Sequence, residues 1–342
     1  MNCSKAIFAS VFLICLVWAF PCLAQESLKR ERVNFQAGDV ILSGTLTLPD
    51  SRRPHPALVV IHAAGLEKRD DYREYAESFA RRGVAVLAYD MRGVGASAGN
   101  ALLPTFVDLA GDALAGVQFL KSRSDINPKQ IGLWSLSRGG LTAPLVAARS
   151  KDVAFMVLVS PVAVTPFEND VRSLESRLRE AHFSPSEVAA AVALYKRGIE
   201  VARTGEGYEA LSTSFQRAQG EKWFSYLPVT QLPPKEHFSW QNLRRIMSYD
   251  PAPIWEKVTC PVLAVFGGMD TAISVEENEA RLRAALKRGK NRNLTIKIFP
   301  KANHLMRVAE TDTVGSSSGA RYATGYFETM ITWIRKHVRG SI

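Results

Sequence analysis

Three side chains have the types and chain order of a nucleophile with its proton relay: Ser137, then Asp270, then His304. A serine hydroxyl is a weak nucleophile until a neighbouring base takes its proton. An imidazole does this when a carboxylate on its other ring nitrogen holds the tautomer and stabilises the cation that forms. The chemistry of such a set is acyl transfer through a covalent serine ester. Ser137 is the centre of Ser135-Leu136-Ser137-Arg138-Gly139, which reads S-x-S-x-G where a sharp strand-to-helix turn is usually G-x-S-x-G. The small residues matter because the turn brings two backbones together in unusual φ/ψ. Ser135 is the weaker nucleophile candidate, since Leu133 and Ser137 flank it at two positions. Alone, the five-residue pattern fits a Gly/Ser helix cap equally well. A matching acid and base separate the two readings.

Strands must deliver these side chains. Residues 131–136 read as a short apolar strand, and a helix continues through Leu141, Pro144, Leu145 and Val146, so Ser137 falls at the junction. Residues 57–62, 84–89 and 155–159 are apolar runs of strand length, the pattern of strands covered on both faces. Residues 261–266 end in Gly267-Gly268-Met269-Asp270, and residues 294–299 end in Pro300-Lys301-Ala302-Asn303-His304. Helices are predicted over 72–82, 105–122, 275–287 and 322–338, and Asn127-Pro128 reads as the turn into the nucleophile strand. Residues 32–35 and 40–48 alternate in polarity around Ala37-Gly38-Asp39, as an antiparallel hairpin does. Strand alternating with helix predicts an α/β fold with a mostly parallel sheet and right-handed crossovers. Such sheets bind ligands outside the carboxyl ends of their strands, where Ser137, Asp270 and His304 are all expected.

Each residue has rivals. His62 closes an inner strand, a position better suited to orienting a loop. Asp90 ends another strand, Asp250 follows no strand, and Asp270 also has the spacing to support a helix starting near Ser274. The right order at the right strand ends favours Ser137, Asp270 and His304 together. Their chemistry also needs an oxyanion hole, backbone N–H groups aimed where negative charge develops. One donor is expected at Arg138, the start of the helix after the serine. The second is expected in His62-Ala63-Ala64-Gly65, at Ala64, with Ala63 close behind.

The strand rhythm stops between residues 165 and 251. Helical stretches are predicted over 171–182, 186–203, 208–219 and 238–247, with aromatics at Trp223, Phe224, Tyr226, Phe238, Trp240 and Tyr249. Roughly 85 residues is far more than a crossover needs, so the segment reads as a helical cap inserted over the sheet edge. The expected organisation is a leader (1–24), a first part of the core (25–164), the cap (165–250) and a second part of the core (251–342).

The 342 residues carry a formal charge of +10, of which the leader's Lys5 supplies one. The basic residues are scattered, as at Arg52-Arg53, Arg81-Arg82 and Arg244-Arg245, with no interleaved aromatic stripe, which argues against a nucleic-acid partner. Residues 7–20 lack any charge, and Pro21 and Cys22-Leu23-Ala24 follow, as in a secretory signal cut after Ala24. A membrane span needs about twenty apolar residues, so no stable anchor is expected after cleavage, and the product is expected to be periplasmic or secreted. Cys3, Cys15 and Cys22 lie in the leader, leaving Cys260 as a small buried hydrophobe without a disulfide partner. No His/Cys/Asp cluster suggests a metal, and the chemistry requires no cofactor.

With these residues in place, the chain resembles the α/β-hydrolases, among them the dienelactone-hydrolase and acyl-peptidase-like branch. The resemblance rests on His62-Ala63, on Asp90-Met91-Arg92-Gly93-Val94-Gly95-Ala96-Ser97, on the Ser137 turn, and on the stretch 127–134. It covers nearly all of the chain after the leader. Ala63 and Ser135 stand where the family pattern has glycine, a difference that implies altered geometry or rate. The expected function is hydrolysis of a small-molecule carboxylic ester through an acyl-enzyme on Ser137, with the cap aromatics forming an apolar pocket. A peptidase or thioesterase comes second. The peptidase ranks lower because only residues 25–56 precede the first inner strand, where that branch carries a large propeller. Acyl transfer uses the same intermediate, and a non-catalytic binding protein on a hydrolase scaffold is the reading from another class. Substrate identity and oligomeric state are left open at this point.

Overall fold

The structure is a computed structural model describing residues 28–51, 54–102, 104–308 and 321–338. The leader, the Arg52-Arg53 pair and the glycine-serine loop 315–319 lie outside the described residues.

The polar-apolar alternation near the N-terminus forms a hairpin of β1 (Lys29–Ala37) and β2 (Val40–Leu48), with Ala37 opposite Val40. There follow β3 (His55–Ile61), a 3-10 turn at Arg69–Tyr72, α1 (Arg73–Ala80), β4 (Ala85–Tyr89) and α2 (Phe106–Lys121). Next come β5 (Ile126–Leu136), α3 (Gly139–Arg149) and β6 (Phe155–Val159). Helices then run without a strand: α4 (Pro166–Glu180), α5 (Pro185–Thr204), α6 (Tyr208–Ala218), α7 (Ser239–Met247) and the short α8 (Ala252–Trp255). The sheet resumes with β7 (Val262–Gly267), α9 (Val275–Arg288) and β8 (Leu294–Phe299), followed by β9 (Arg307–Val308), β10 (Arg321–Tyr322) and α10 (Tyr326–Val338).

Eight strands form one sheet in the order β1-β2-β4-β3-β5-β6-β7-β8. The pairs β1/β2 and β2/β4 are antiparallel, and every other pair is parallel. The chain steps from β3 outward to β4, then returns to the other side of β3 as β5. A crevice therefore opens beyond the ends of β3 and β5, the switch point where open α/β sheets hold ligands.

Both faces of the sheet are covered. Alternate residues of β3 divide between two apolar layers: Ala57, Val59 and Ile61 pack with α2, α3 and α9, while Leu58 and Val60 pack with α1 and α10. Burying a leucine side chain fully contributes about 1.5–3 kcal/mol, and Leu42, Leu46, Leu58 and Leu87 are all sealed from solvent. A third apolar cluster, centred on Leu174, Leu178, Ala191, Leu211 and Phe215, lies within α4, α5 and α6. No helix among the described residues is long and apolar enough to cross a membrane.

The three largest boundary shifts from the sequence expectation have clear causes. Strand β5 begins at Ile126 because Ile126 pairs with His55 before a register irregularity, so Asn127-Pro128 lies inside the strand. Helix α4 begins at Pro166 because Thr165 and Glu168 form a capping box, with Oγ1 accepting from Glu168 N (3.2 Å) and Oε2 accepting from Thr165 N (2.9 Å). Helix α10 begins at Tyr326 because Arg321 and Tyr322 pair with β9.

Candidate active site

Ser137 directly follows β5, with φ of 53° in a region that disfavours side chains. Its strain is held by backbone bonds. The Ser137 N–H donates to Val159 O (2.9 Å), and its carbonyl accepts from Gly140 N (2.9 Å) and Val162 N (3.0 Å). Such strain persists where the surroundings over-determine it, and it gathers at functional sites. A Cβ on Gly139 would lie 3.0 Å from the carbonyl oxygens of both Ile61 and His62, so the helix start and the loop after β3 touch at the backbone. Ser135, in place of the family's glycine, is fully buried, and its Oγ has no hydrogen-bond partner among the described residues.

Asp270 and His304 meet. Asp270 Oδ2 accepts from His304 Nδ1 at 2.8 Å, with the carboxylate sealed from solvent and the ring about one-fifth exposed. Oδ1 accepts from Ala272 N (2.9 Å) and Ile273 N (3.1 Å), which aims the other oxygen at the ring. Helix α9 is capped by Ser274, whose hydroxyl accepts from Glu277 N (3.3 Å), so Asp270 is not the cap residue. The two loops are in van der Waals contact: a Cβ on Gly267 would fall 2.3 Å from Asn303 O. Only glycine fits there.

Ser160, which sequence reasoning passed over, ties the histidine to the serine. It follows β6, the strand paired with β5, and its buried Oγ donates to His304 O (2.9 Å). Its φ is 43°. The sequence signal was a Ser-Pro pair closing a buried strand, but its partner lies 144 residues away.

The rival residues have other duties. Asp90 accepts from Arg69 N (2.9 Å) and Ala96 N (2.8 Å), and Asp250 accepts from Ala252 N (2.9 Å). The His62 Nε2 makes a 2.7 Å hydrogen bond with Tyr89 O, and its ring packs edge-on to Tyr89. Burial holds the His62 ring well below the ordinary histidine range, at about 4. Between pH 6.5 and 4 the unfolded chain therefore binds a proton that the folded chain excludes, and stability falls as pH falls through that window. The full effect is about 3 kcal/mol. Denaturant midpoints across this window are expected to decline less steeply for His62→Gln than for the wild type.

Of the expected oxyanion donors, Ala63 N is occupied, donating to Glu67 Oε2 (2.6 Å) and Tyr72 OH (3.0 Å). Ala64 N and Arg138 N have no acceptor among the described residues. Cys260 is half-buried, and desolvation pushes its thiol up to about 12, which disfavours the thiolate. Among the described residues no group of three or more His, Cys, Asp or Glu side chains is placed to hold a metal ion.

The sheet order, the strained serine turn and the loops converging on it define an α/β-hydrolase. Residues 52–312 match the family described as serine aminopeptidase, S33, and the chain belongs to that family. It is 25% identical over 291 residues to the esterase EstD of Thermotoga maritima, covering 82% of this chain and 61% of that protein. It is 26% identical over 275 residues to the thiohydrolase apmlB of Arthrinium phaeospermum, covering 77% of this chain and 87% of that protein. The Pyrococcus furiosus esterase Pf2001 shares the fold, with a TM-score of 0.55 at 18% identity over 91% of each chain.

Proposed function

We propose that this chain hydrolyses carboxylic esters, with Ser137 as nucleophile, His304 as base and Asp270 as the orienting acid. The observation that carries this reading is the 2.8 Å Asp270–His304 bond, taken together with the strained turn at Ser137 directly after β5. Asp270 holds the proton on Nδ1, leaving Nε2 to accept the Ser137 proton as Oγ attacks the ester carbonyl. The oxyanion that develops is stabilised by the N–H groups of Arg138 and Ala64. His304 then protonates the leaving alcohol. Water, activated by the same nitrogen, cleaves the acyl-enzyme and restores Ser137. The leader at residues 1–24 supports export, to the periplasm or beyond the cell.

The helices 165–250 act in this reading as a cap that selects the acyl group. They enclose a cavity of about 270 Å³ walled by Tyr195, Ile199, Phe215, Leu232, Trp240 and Ile246. Helix α7 rests on the core through Asn242 Nδ2 to Leu102 O (3.0 Å). An apolar cavity favours long acyl chains, by as much as about 4-fold per fully buried methylene. Hydrolysis of p-nitrophenyl esters from acetate to decanoate is expected to show kcat/KM rising with chain length. A series that is flat or falls removes the cap cavity from the acyl site.

A thioester substrate is the second reading, supported by the likeness to a thiohydrolase across 87% of its length. Matched oxygen esters and thioesters of one acyl chain separate the two through kcat/KM.

A further inference from the structure

The loop that carries Ala64 is held by a carboxylate outside the triad. Glu67 Oε2 accepts both the Ala63 N–H (2.6 Å) and the Tyr72 hydroxyl, and Tyr72 OH in turn accepts from Ala63 N (3.0 Å). Glu67 O accepts from Met91 N (3.1 Å), which fastens the same residue to the loop after β4. Tyr72 is buried, with its ring edge-on to His62 (centroids 6.0 Å apart) and to Trp134 of β5 (6.0 Å). Trp134 lies three residues before Ser137 on the nucleophile strand. One network thus joins the oxyanion loop to the strand that presents the serine.

We propose that Glu67, acting with Tyr72, is a positioning residue for the oxyanion hole: it fixes the His62–Ala63 peptide by engaging the Ala63 N–H, and so leaves the Ala64 N–H to the substrate. This inference rests on the serine-hydrolase reading. Glycine at position 63 would leave this peptide freer to turn. Here alanine fills the position, and Glu67 supplies an acceptor four residues on. Burial raises the Glu67 carboxyl above its ordinary range, and the bonds from Tyr72 and Ala63 pull it back. Burial and the neighbouring carboxylate keep Tyr72 protonated, hence a donor to Glu67. Placement of an oxyanion donor matters because its strength depends on preorganisation, and small misplacements are costly in rate.

The test compares Glu67→Ala, Glu67→Gln and Tyr72→Phe with the wild type on one p-nitrophenyl ester, and measures inhibition by an alkyl boronic acid. The boronate adduct of serine places an anionic oxygen in the hole, so its affinity reports the donors directly. Glu67→Ala is expected to lower kcat roughly 10- to 100-fold with KM nearly unchanged, and to weaken the boronate in parallel. Glu67→Gln keeps an acceptor for both donors and is expected to recover most of the loss. Tyr72→Phe, which preserves the packing, is expected to fall between them. An active wild type matched in kcat and boronate affinity by Glu67→Ala and Tyr72→Phe overturns the inference alone. A loss that Glu67→Gln does not recover, accompanied by a lowered melting temperature, also overturns it, in favour of a purely structural role. A wild type that neither turns over nor reacts with a fluorophosphonate removes the hydrolase reading, and this inference with it.

Discussion

Ser137→Ala is expected to lower kcat by about 10⁴- to 10⁶-fold and to abolish labelling by a fluorophosphonate, with the fold retained. The size of the effect follows from covalent catalysis: without Oγ there is no acyl-enzyme, and only the oxyanion donors and binding remain to accelerate direct attack by water. The fold should survive because the turn is held by backbone bonds, Ser137 N to Val159 O and Ser137 O to Gly140 N and Val162 N, which alanine keeps. Alanine also inherits the φ of 53° at much the same steric cost. Ser137→Gly relieves that cost, and its melting temperature should exceed the wild-type value by an amount corresponding to ~1 kcal/mol. An alanine variant that labels and turns over like the wild type would remove Ser137 from the mechanism.

Asp270→Asn is expected to reduce kcat by about 10³- to 10⁴-fold, with little change in KM. An asparagine oxygen can keep the two bonds from Ala272 N and Ile273 N, so the turn before α9 survives. Its amide nitrogen then faces His304 Nδ1, where the carboxylate Oδ2 had accepted. Two donors cannot share that contact, so the ring must move its proton to Nε2, the nitrogen that has to accept from Ser137. The variant is therefore wrong in tautomer but intact in fold. Steady-state kinetics beside thermal melting distinguishes this from Asp270→Ala, which also strands two backbone donors and should lose stability. Equal kcat for Asp270→Asn and the wild type would mean that the carboxylate does not govern the histidine.

How far the sequence carried can be judged from particular residues. The short apolar runs of β3, β4, β6 and β7 were legible because a strand covered on both faces must be continuously apolar, a purely local requirement. Ser137 directly follows β5, and Asp270 and His304 lie three and five residues beyond the ends of β7 and β8, so reading these strands put all three in the loops at strand ends. The start of α10 was misplaced because Arg321 and Tyr322 pair with a two-residue strand that their own pattern does not announce. The start of β5 was misplaced because only its partner His55 holds Ile126 in the ladder.

By itself, then, the chain determined an alternating α/β sheet, a long helical insertion, and which serine, aspartate and histidine stand at the strand ends, because each follows from periodicity or immediate neighbours. Tertiary structure alone decided the rest. It occupied the Ala63 N–H with Glu67 and Tyr72 and left the Ala64 N–H without an acceptor among the described residues, buried His62 as a neutral ring against Tyr89, and hung the His304 carbonyl on Ser160. A hydrogen bond needs its two atoms within about 3 Å. Which atoms come that close is set by the order of strands, where β4 lies between β2 and β3 and β6 between β5 and β7, and no local pattern encodes that order.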